Sequence, residues 1–289
     1  TNRGRVFSAK VHAIPDASRQ AKGLPIINLP GVQVEAGEVP MATICLPTFA
    51  AGSYLVMATK QGRIKKTPLE QFERVRSTGI RAITIDEGDE LAWVDVSSGE
   101  DDVIIATAQG MLARFHESEV RAMGRDAAGV IGIRLRRQGD AVVSMSVVQP
   151  TAELLVLSET GYGKRVALTE FRPKHRGGQG VRLISLEGRK TGVLAAVQQV
   201  TELDEELVLI SAQGQVVKTE LDSVNLYSPS ARGVIVMRLN EGDRVVGIAA
   251  FRPGLAEARA SDDNDGPEAG PDGAPQGIDP TRGGPGQGA

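Results

Sequence analysis

Two glycines recur through this chain in a fixed relation, and they limit its fold more than any other feature. The first of each pair is Gly4, Gly62, Gly110, Gly161 or Gly214, about 50 residues apart. Three residues before it stands a small hydroxyl residue, Thr1, Thr59, Thr107, Ser158 or Ser211. The second glycine, Gly23, Gly79, Gly129, Gly180 or Gly233, follows after 19, 17, 19, 19 and 19 residues. One residue past it comes Leu24, Ile80, Val130, Val181 or Val234. Four past it comes Ile27, Ile83, Ile133, Ile184 or Met237, and six past it Leu29, Ile85, Leu135, Leu186 or Leu239. Register of this kind over five units marks a repeat protein.

A period near 50 with a glycine turn between short apolar segments is the pattern of propeller blades. The second unit displays four segments: 54–59 (YLVMAT), 63–69, 80–85 (IRAITI) and 91–96 (LAWVDV). Runs of about six residues rich in β-branched side chains and bounded by turns read as strands. Short helical turns are expected at 68–74 and 117–121. A four-stranded unit cannot bury both faces alone, so blades must stack around an axis. The expected fold is all-β, a propeller-like disc of four-stranded blades. Its units are 1–53 (an incomplete blade), 54–101, 102–152, 153–205 and 206–253. Thr1 falls on the hydroxyl position, so the first unit is expected to lack its leading strand and the sequence to be a fragment.

Only 3% of the residues are aromatic, which leaves Val, Ile, Leu and Ala to build the core. The lone Cys45 excludes an internal disulfide, fits a reducing, cytoplasmic compartment, and is expected on a strand. No apolar run approaches the ~20 residues of a membrane span, and no signal peptide is expected. After Pro253 the composition changes. Residues 254–289 hold seven acids against Arg259 and Arg282, crowd Gly and Pro, and are expected to be a disordered acidic tail. The whole chain is −3 and this tail −5, so the repeats carry +2.

That charge is unevenly spread. Four residues past the turn glycine lie Lys66, Arg114, Arg165 and Lys218, with Ser8 in the first unit. The loops before the second glycine carry Arg19 and Lys22, Arg74 and Arg76, Arg121 and Arg125, Lys174 and Arg176, and Arg232. Arg5, Lys65, Lys164 and Arg182 lie beside these positions and join the expected contact set. Acids gather instead in the turns flanking the fourth strand. Equivalent positions sit at equivalent places on each blade, so one rim is expected to be positive. A curved basic row suits duplex DNA, whose phosphates are read without regard to sequence. The lack of an aromatic stripe argues against single strands. One loop is richer still: His175, Arg176, Gly177, Gly178 and Gly180 combine a forked donor with glycines that let backbone N–H groups approach a phosphate. His12, His116 and His175 lie in different repeats, and neither a zinc site nor a nucleophile or P-loop motif is found.

Three segments resemble the C-terminal domain of the bacterial DNA gyrase A protein: TNRGRVFSAKVHAIPDASRQAKG (1–23), SSGEDDVIIATAQGMLARFHESEVRAMG (97–124) and TGYGKRVALTEFRPKHRGGQGVR (160–182). The resemblance implies a β-pinwheel, a disc whose blades exchange strands and whose perimeter wraps DNA. It also implies a role in ATP-dependent negative supercoiling by a heterotetramer of gyrase A and gyrase B proteins. ATP and Mg would be bound elsewhere in that assembly, and no cofactor is expected in this segment. The family's box, Q-R-R-G-G-K-G, belongs to a first blade that would precede Thr1, and 175–180 is a variant with Gln179 in place of lysine. The family's DNA-cleaving tyrosine follows an arginine in a separate domain. Here Tyr54, Tyr162 and Tyr227 follow Ser53, Gly161 and Leu226, so no catalytic residue is expected. Two alternatives stand beside this reading: the corresponding domain of topoisomerase IV, and a protein-binding propeller.

Overall fold

The computed structural model describes residues 1–252 except Arg19 and Arg136, and the backbone but not the side chain of Arg189. The expected tail, 254–289, lies outside the described residues. Strand β1 (Arg5–Val6) opens the chain, followed by β2 (Tyr54–Thr59), β3 (Arg63–Pro68), β4 (Ile80–Arg81) and β5 (Leu91–Ser97). The next repeat holds β6 (Asp102–Thr107), β7 (Met111–His116), β8 (Val130–Ile131) and β9 (Val142–Val147). Then come β10 (Glu153–Ser158), β11 (Tyr162–Ala167), β12 (Val181–Arg182) and β13 (Leu194–Val200). The last repeat holds β14 (Glu206–Ser211), β15 (Val216–Glu220), β16 (Val234–Ile235) and β17 (Val245–Phe251). Only short 3-10 turns interrupt the strands among the described residues, including Leu69–Phe72 and Glu117–Glu119, where the sequence pattern places helical turns.

The third segment of each repeat does not join its own hairpin. Strand β8 pairs with β3, β12 with β7, and β16 with β11, so each four-stranded sheet takes its last strand from the following repeat. The small sheet of β1 and β4 repeats the exchange at the start of the chain. This is the strand-exchanged, propeller-like arrangement that the resemblance implied. The exchange explains both glycines. Gly62 N–H closes the β2–β3 turn on Thr59 O at 3.0 Å, while Thr59 Oγ1 accepts from Arg63 N–H at 3.1 Å. The Gly62 carbonyl then receives the incoming chain through Gly132 N–H (2.9 Å) and Ile133 N–H (3.2 Å). A Cβ on Gly62 would stand 2.6 Å from Ile133 O, and φ there is +86°. The second glycine lets the incoming segment cross the hairpin: a Cβ on Gly180 would lie 2.6 Å from Leu112 O.

Strands β5, β9, β13 and β17 neighbour one another in order and form the inner edge of the arc. Side chains tie that edge together: Val147 N–H donates to Asp95 Oδ2 (2.9 Å), Ser144 Oγ to Val197 O (2.9 Å), and Gln199 Nε2 to Val147 O (2.7 Å). The exchanged strands therefore lie on the outside. Core layers form between successive sheets, for example Ile104, Ala106 and Leu112 against Leu154, Val156 and Val166. The apolar residue four past the second glycine (Ile83, Ile133, Ile184, Met237) is buried in every described case after the first unit. Ile27 of the first unit is exposed. Cys45 corrects the sequence reading: it sits exposed in an irregular segment rather than on a strand, because 40–53 joins no ladder.

No strand among the described residues pairs with the outer edge of β15. Accordingly Ile210 and Val216 are exposed, whereas the equivalent Ala58 and Ile64 are buried. Gly214 has φ +84° but nothing within 4 Å of a built Cβ. This supplies a matched pair of substitutions. Gly214→Ala should cost only the left-handed strain of roughly 1–2 kcal/mol. Gly62→Ala should add a steric cost of about 1–3 kcal/mol. Urea midpoints of the two variants should differ in that order, and equal midpoints would refute the account of the exchange.

Candidate nucleic-acid interface

The recurrent basic position lies on the second strand of each hairpin, and its geometry is the same from blade to blade. Arg114 pairs with Asp102 at 2.8 Å, Arg165 with Glu153 at 3.3 Å and Lys218 with Glu206 at 2.7 Å. Each acid opens the first strand of the same hairpin. Tyr54 holds that place in the remaining blade, where the Lys66 ammonium lies 4.7 Å over its ring and 3.2 Å from Glu117 Oε2. The same side chains reach across to the next repeat. Arg114 Nη1 donates to Leu168 O (3.1 Å) and Phe171 O (3.0 Å), Arg165 Nε to Val224 O (2.6 Å), and Lys66 Nζ to Glu117 O (3.1 Å). These cations staple one blade to the loop of the next. Only Lys218 is exposed, because nothing among the described residues covers β15.

One position earlier, Lys65 and Lys164 are wholly buried. Lys65 Nζ donates to Ala82 O (2.5 Å) and Arg125 O (2.6 Å). Lys164 Nζ donates to Ser228 O (2.7 Å), Pro229 O (3.1 Å) and Ala231 O (2.9 Å). Burial lowers both amines from their usual 10.5 to about 8. The expectation that Lys65, Lys66, Arg114, Lys164 and Arg165 face a polyanion is therefore corrected. Desolvation would oppose leaving these charges unpaired inside, so the fold surrounds them with carbonyls and carboxylates. Arg5 is likewise engaged by Glu35 and Glu38, and Arg232 by Glu187 at 2.7 Å with its guanidinium 5.1 Å from the Tyr162 ring.

The outer loops behave differently. Lys22, Arg74, Arg76, Arg121, Lys174, His175 and Arg182 are exposed, and Arg125 is half-buried. Arg19 lies outside the described residues. Arg74, Arg76, Arg121, Lys174 and Arg182 have no carboxylate partner among the described residues, so their charges remain available. The sequence reading missed Arg134, Arg172 and Arg238, which are also exposed, and Arg81, which is 3.9 Å from Asp126. A signal was present. Arg81 and Arg182 stand two residues past the second glycine, and Arg134 and Arg238 five past it, all within or just after the exchanged outer strands.

The loop 174–180 divides into structural and free parts. Arg176 is pinned: its backbone N–H donates to Glu119 Oε2 (2.8 Å), Nε to Glu119 O (2.9 Å) and Nη1 to Ile131 O (3.0 Å). The Glu119 carboxyl is held below its ordinary range, first by that backbone bond and then by His175, whose Nδ1 lies 2.7 Å away. Gly177 (φ +72°) donates its N–H to Gly132 O at 2.7 Å, and Gly180 is needed for the close crossing of β7. Gly178 carries no such constraint, since a built Cβ would meet only His175 O at 3.9 Å.

A family model described as "DNA gyrase C-terminal domain, beta-propeller" matches residues 1–34, 53–98, 101–149, 152–201 and 205–252. The chain belongs to the DNA gyrase C-terminal domain family. It is 41% identical over 248 residues to the DNA gyrase A protein of Escherichia coli (strain K12), covering 86% of this chain and 28% of that protein. It is 40% identical over 250 residues to the DNA gyrase A protein of Chlamydia trachomatis serovar D, covering 86% and 29%. The chain thus spans under a third of the curated relatives it matches. Two solved structures share the fold, each at 24% identity. The C-terminal domain of DNA topoisomerase IV superposes with a TM-score of 0.79 over 90% of this chain and 82% of that one. The DNA gyrase A C-terminal domain superposes with 0.73 over 86% and 80%.

The buried lysines generate a pH prediction. Between about 8 and 10.5 the unfolded state holds protons that folded Lys65 and Lys164 have released. Stability should therefore rise with pH through that window. The rise should be smaller in the Lys65→Met/Lys164→Met variant, as urea midpoints taken at pH 7.5 and 10 would read. Lys164→Met alone should cost about 1–3 kcal/mol at pH 7.5, because it removes the charged donor shared by the carbonyls of Ser228, Pro229 and Ala231.

Proposed function

We propose that this chain is the duplex-DNA-binding and wrapping module of a DNA gyrase A protein, acting in an assembly with a gyrase B protein to introduce negative supercoils. The observation that carries the reading is the set of exposed cations without carboxylate partners on the outer loops and exchanged strands, Arg74, Arg76, Arg121, Arg134, Arg172, Lys174 and Arg182. They are spread over three successive repeats (Arg74 and Arg76; Arg121 and Arg134; Arg172, Lys174 and Arg182) on the edge opposite the inner strands, and the relatives named above are gyrase A proteins. Phosphates following that edge would be neutralised one blade after another, whatever the sequence. ATP hydrolysis, Mg binding and strand cleavage belong to other parts of the assembly in this reading, which places the protein in the cytoplasm. No described helix is long and apolar enough to cross a membrane.

Seven neutralised phosphates imply a slope of about −6 in log K against log salt, and an affinity loss on the order of 10³-fold between 50 and 200 mM. Fluorescence anisotropy with a random-sequence duplex should return that dependence. Arg134→Ala, Lys174→Ala and Arg182→Ala should each reduce the slope by about 0.9. Arg114→Ala should lower the melting temperature and leave the slope unchanged, because its charge already faces Asp102. A flat salt response, or a slope that falls equally for Arg114→Ala and Lys174→Ala, would overturn the outer-edge reading. A protein-binding propeller would give the flat response.

A further inference from the structure

The blades differ at one interior position. On β3 and β11 it is Lys65 and Lys164, while on β7 it is Ala113, which pairs with Ile105 as Lys65 pairs with Met57 and Lys164 with Val156. The amine of Lys164 reaches the carbonyls of Ser228, Pro229 and Ala231. Counted back from the second glycine, the corresponding residues under the β7 blade are His175, Arg176 and Gly178. No amine among the described residues reaches them. The carbonyl that Lys65 satisfies at Ala82 corresponds to Gly132 O, and Gly177 N–H takes the place of the missing ammonium there at 2.7 Å. The backbone has thus replaced the bond while leaving the volume of the side chain unfilled.

A cavity of about 150 Å³ borders Ala113 and two of the three matched loop residues, His175 and Gly178, and is lined by Arg172, Lys174 and Gln179 among others. No carboxylate lines it, and Arg114, its only other charged neighbour, is neutralised by Asp102. The N–H groups of Gly178 and Gln179 meet no backbone acceptor among the described residues. We propose that this cavity is a phosphate site, opened by alanine at position 113 and closed in the blades that carry lysine. Arg172 and Lys174 supply the charge, and the two backbone N–H groups without acceptors supply donors, a combination suited to an oxyanion. The occupant is a phosphate group, either free or part of a nucleic-acid backbone. The second source rests on the DNA reading proposed above, and the first does not.

Filling the cavity gives a test in which charge and shape point in opposite directions. Ala113→Lys adds a positive charge but places a side chain in the space, as the fold already accepts at 65 and 164. Ala113→Leu fills it without charge. Inorganic phosphate, titrated into the protein at constant ionic strength against chloride, should shift the Gly178 and Gln179 amide resonances of the wild type. Both variants should lose that response by at least tenfold. A duplex titrated in parallel separates the sources. Weaker duplex binding by both variants identifies a backbone phosphate, with or without a response to the free ion. Loss of the free-ion response with duplex affinity unchanged identifies free phosphate, and this outcome holds even if the protein binds no DNA. Tighter duplex or phosphate binding by Ala113→Lys would show that charge alone acts and would overturn the proposal. So would a wild type silent to phosphate whose filled variants keep full duplex affinity. Should both variants fail to fold, the wild-type titration decides: no shift at Gly178 or Gln179 with either phosphate or duplex rejects the site.

Discussion

The structure depends on one handover: the turn glycine of each exchanged hairpin offers its carbonyl to N–H groups of the next repeat, two at Gly4, Gly62 and Gly161 and one at Gly110. Gly62 O receives Gly132 and Ile133, and Gly161 O receives Val236 and Met237. A β-turn carbonyl at a hairpin tip would ordinarily face solvent. Here it is the docking point for a neighbouring blade, so the turn must lack a Cβ on the approached side. The hydroxyl three residues earlier closes the turn from within, and the second glycine lets the arriving chain lie against the hairpin. Local turn geometry and the largest-scale topology of the molecule are therefore set by the same few atoms, which is why those residues keep their spacing while most others differ from repeat to repeat.

Charge recurrence has a similar origin. A side chain four residues past the turn glycine emerges where one blade meets the loop of the next, beside carbonyls of that loop: Glu117 O for Lys66, Leu168 O and Phe171 O for Arg114, and Val224 O for Arg165. A cation there bonds one or two of them, each charge-assisted bond contributing about 1.5–3 kcal/mol, against a desolvation cost of several kcal/mol per ion. These magnitudes nearly cancel unless the charge is also paired, and the acid at the start of the first strand, Asp102, Glu153 or Glu206, supplies the pair. Where Tyr54 replaces the acid, the ring face and Glu117 supply it instead. Periodic basic residues in a repeat protein are thus not by themselves a binding rim. Burial separates the two kinds.

This separation marks what could be read from the sequence. Repeat length, turn positions and the apolar register were legible because backbone sterics fix residue type at those sites: Gly62, Gly180 and Ile133 have few substitutes. Strand exchange was not legible from periodicity, since the segment beginning at Ile80 has the same pattern whether it pairs with its own hairpin or with β1. Family resemblance supplied that step. The basic residues were found, but their roles were inverted for Lys65, Lys66, Arg114, Lys164 and Arg165. A charged side chain on a short strand between apolar neighbours reads as solvent-facing, and only the crossing loop reveals the carbonyls around it. Arg134 and Arg238 escaped notice for the complementary reason: they lie just past a two-residue strand whose outward side no hydrophobic alternation defines.

The loop 174–180 shows how the two demands meet in one place. In the sequence its extra glycine reads as a means of approaching phosphate. Gly177 instead turns its N–H onto Gly132 O, the carbonyl equivalent to the one Lys65 satisfies in the preceding blade. Losing a buried lysine at position 113 without that substitution would leave an interior acceptor bare, at a cost of about 1–3 kcal/mol. With it, the blade keeps that acceptor satisfied, and the space that an aliphatic stem takes in the lysine blades is not needed. Gly178, unconstrained in φ and free of close contacts, then borders the cavity beside Ala113. A position that looked specialised by its glycines is specialised by what it lacks, a lysine side chain, and the glycine is the compensation that makes the lack tolerable.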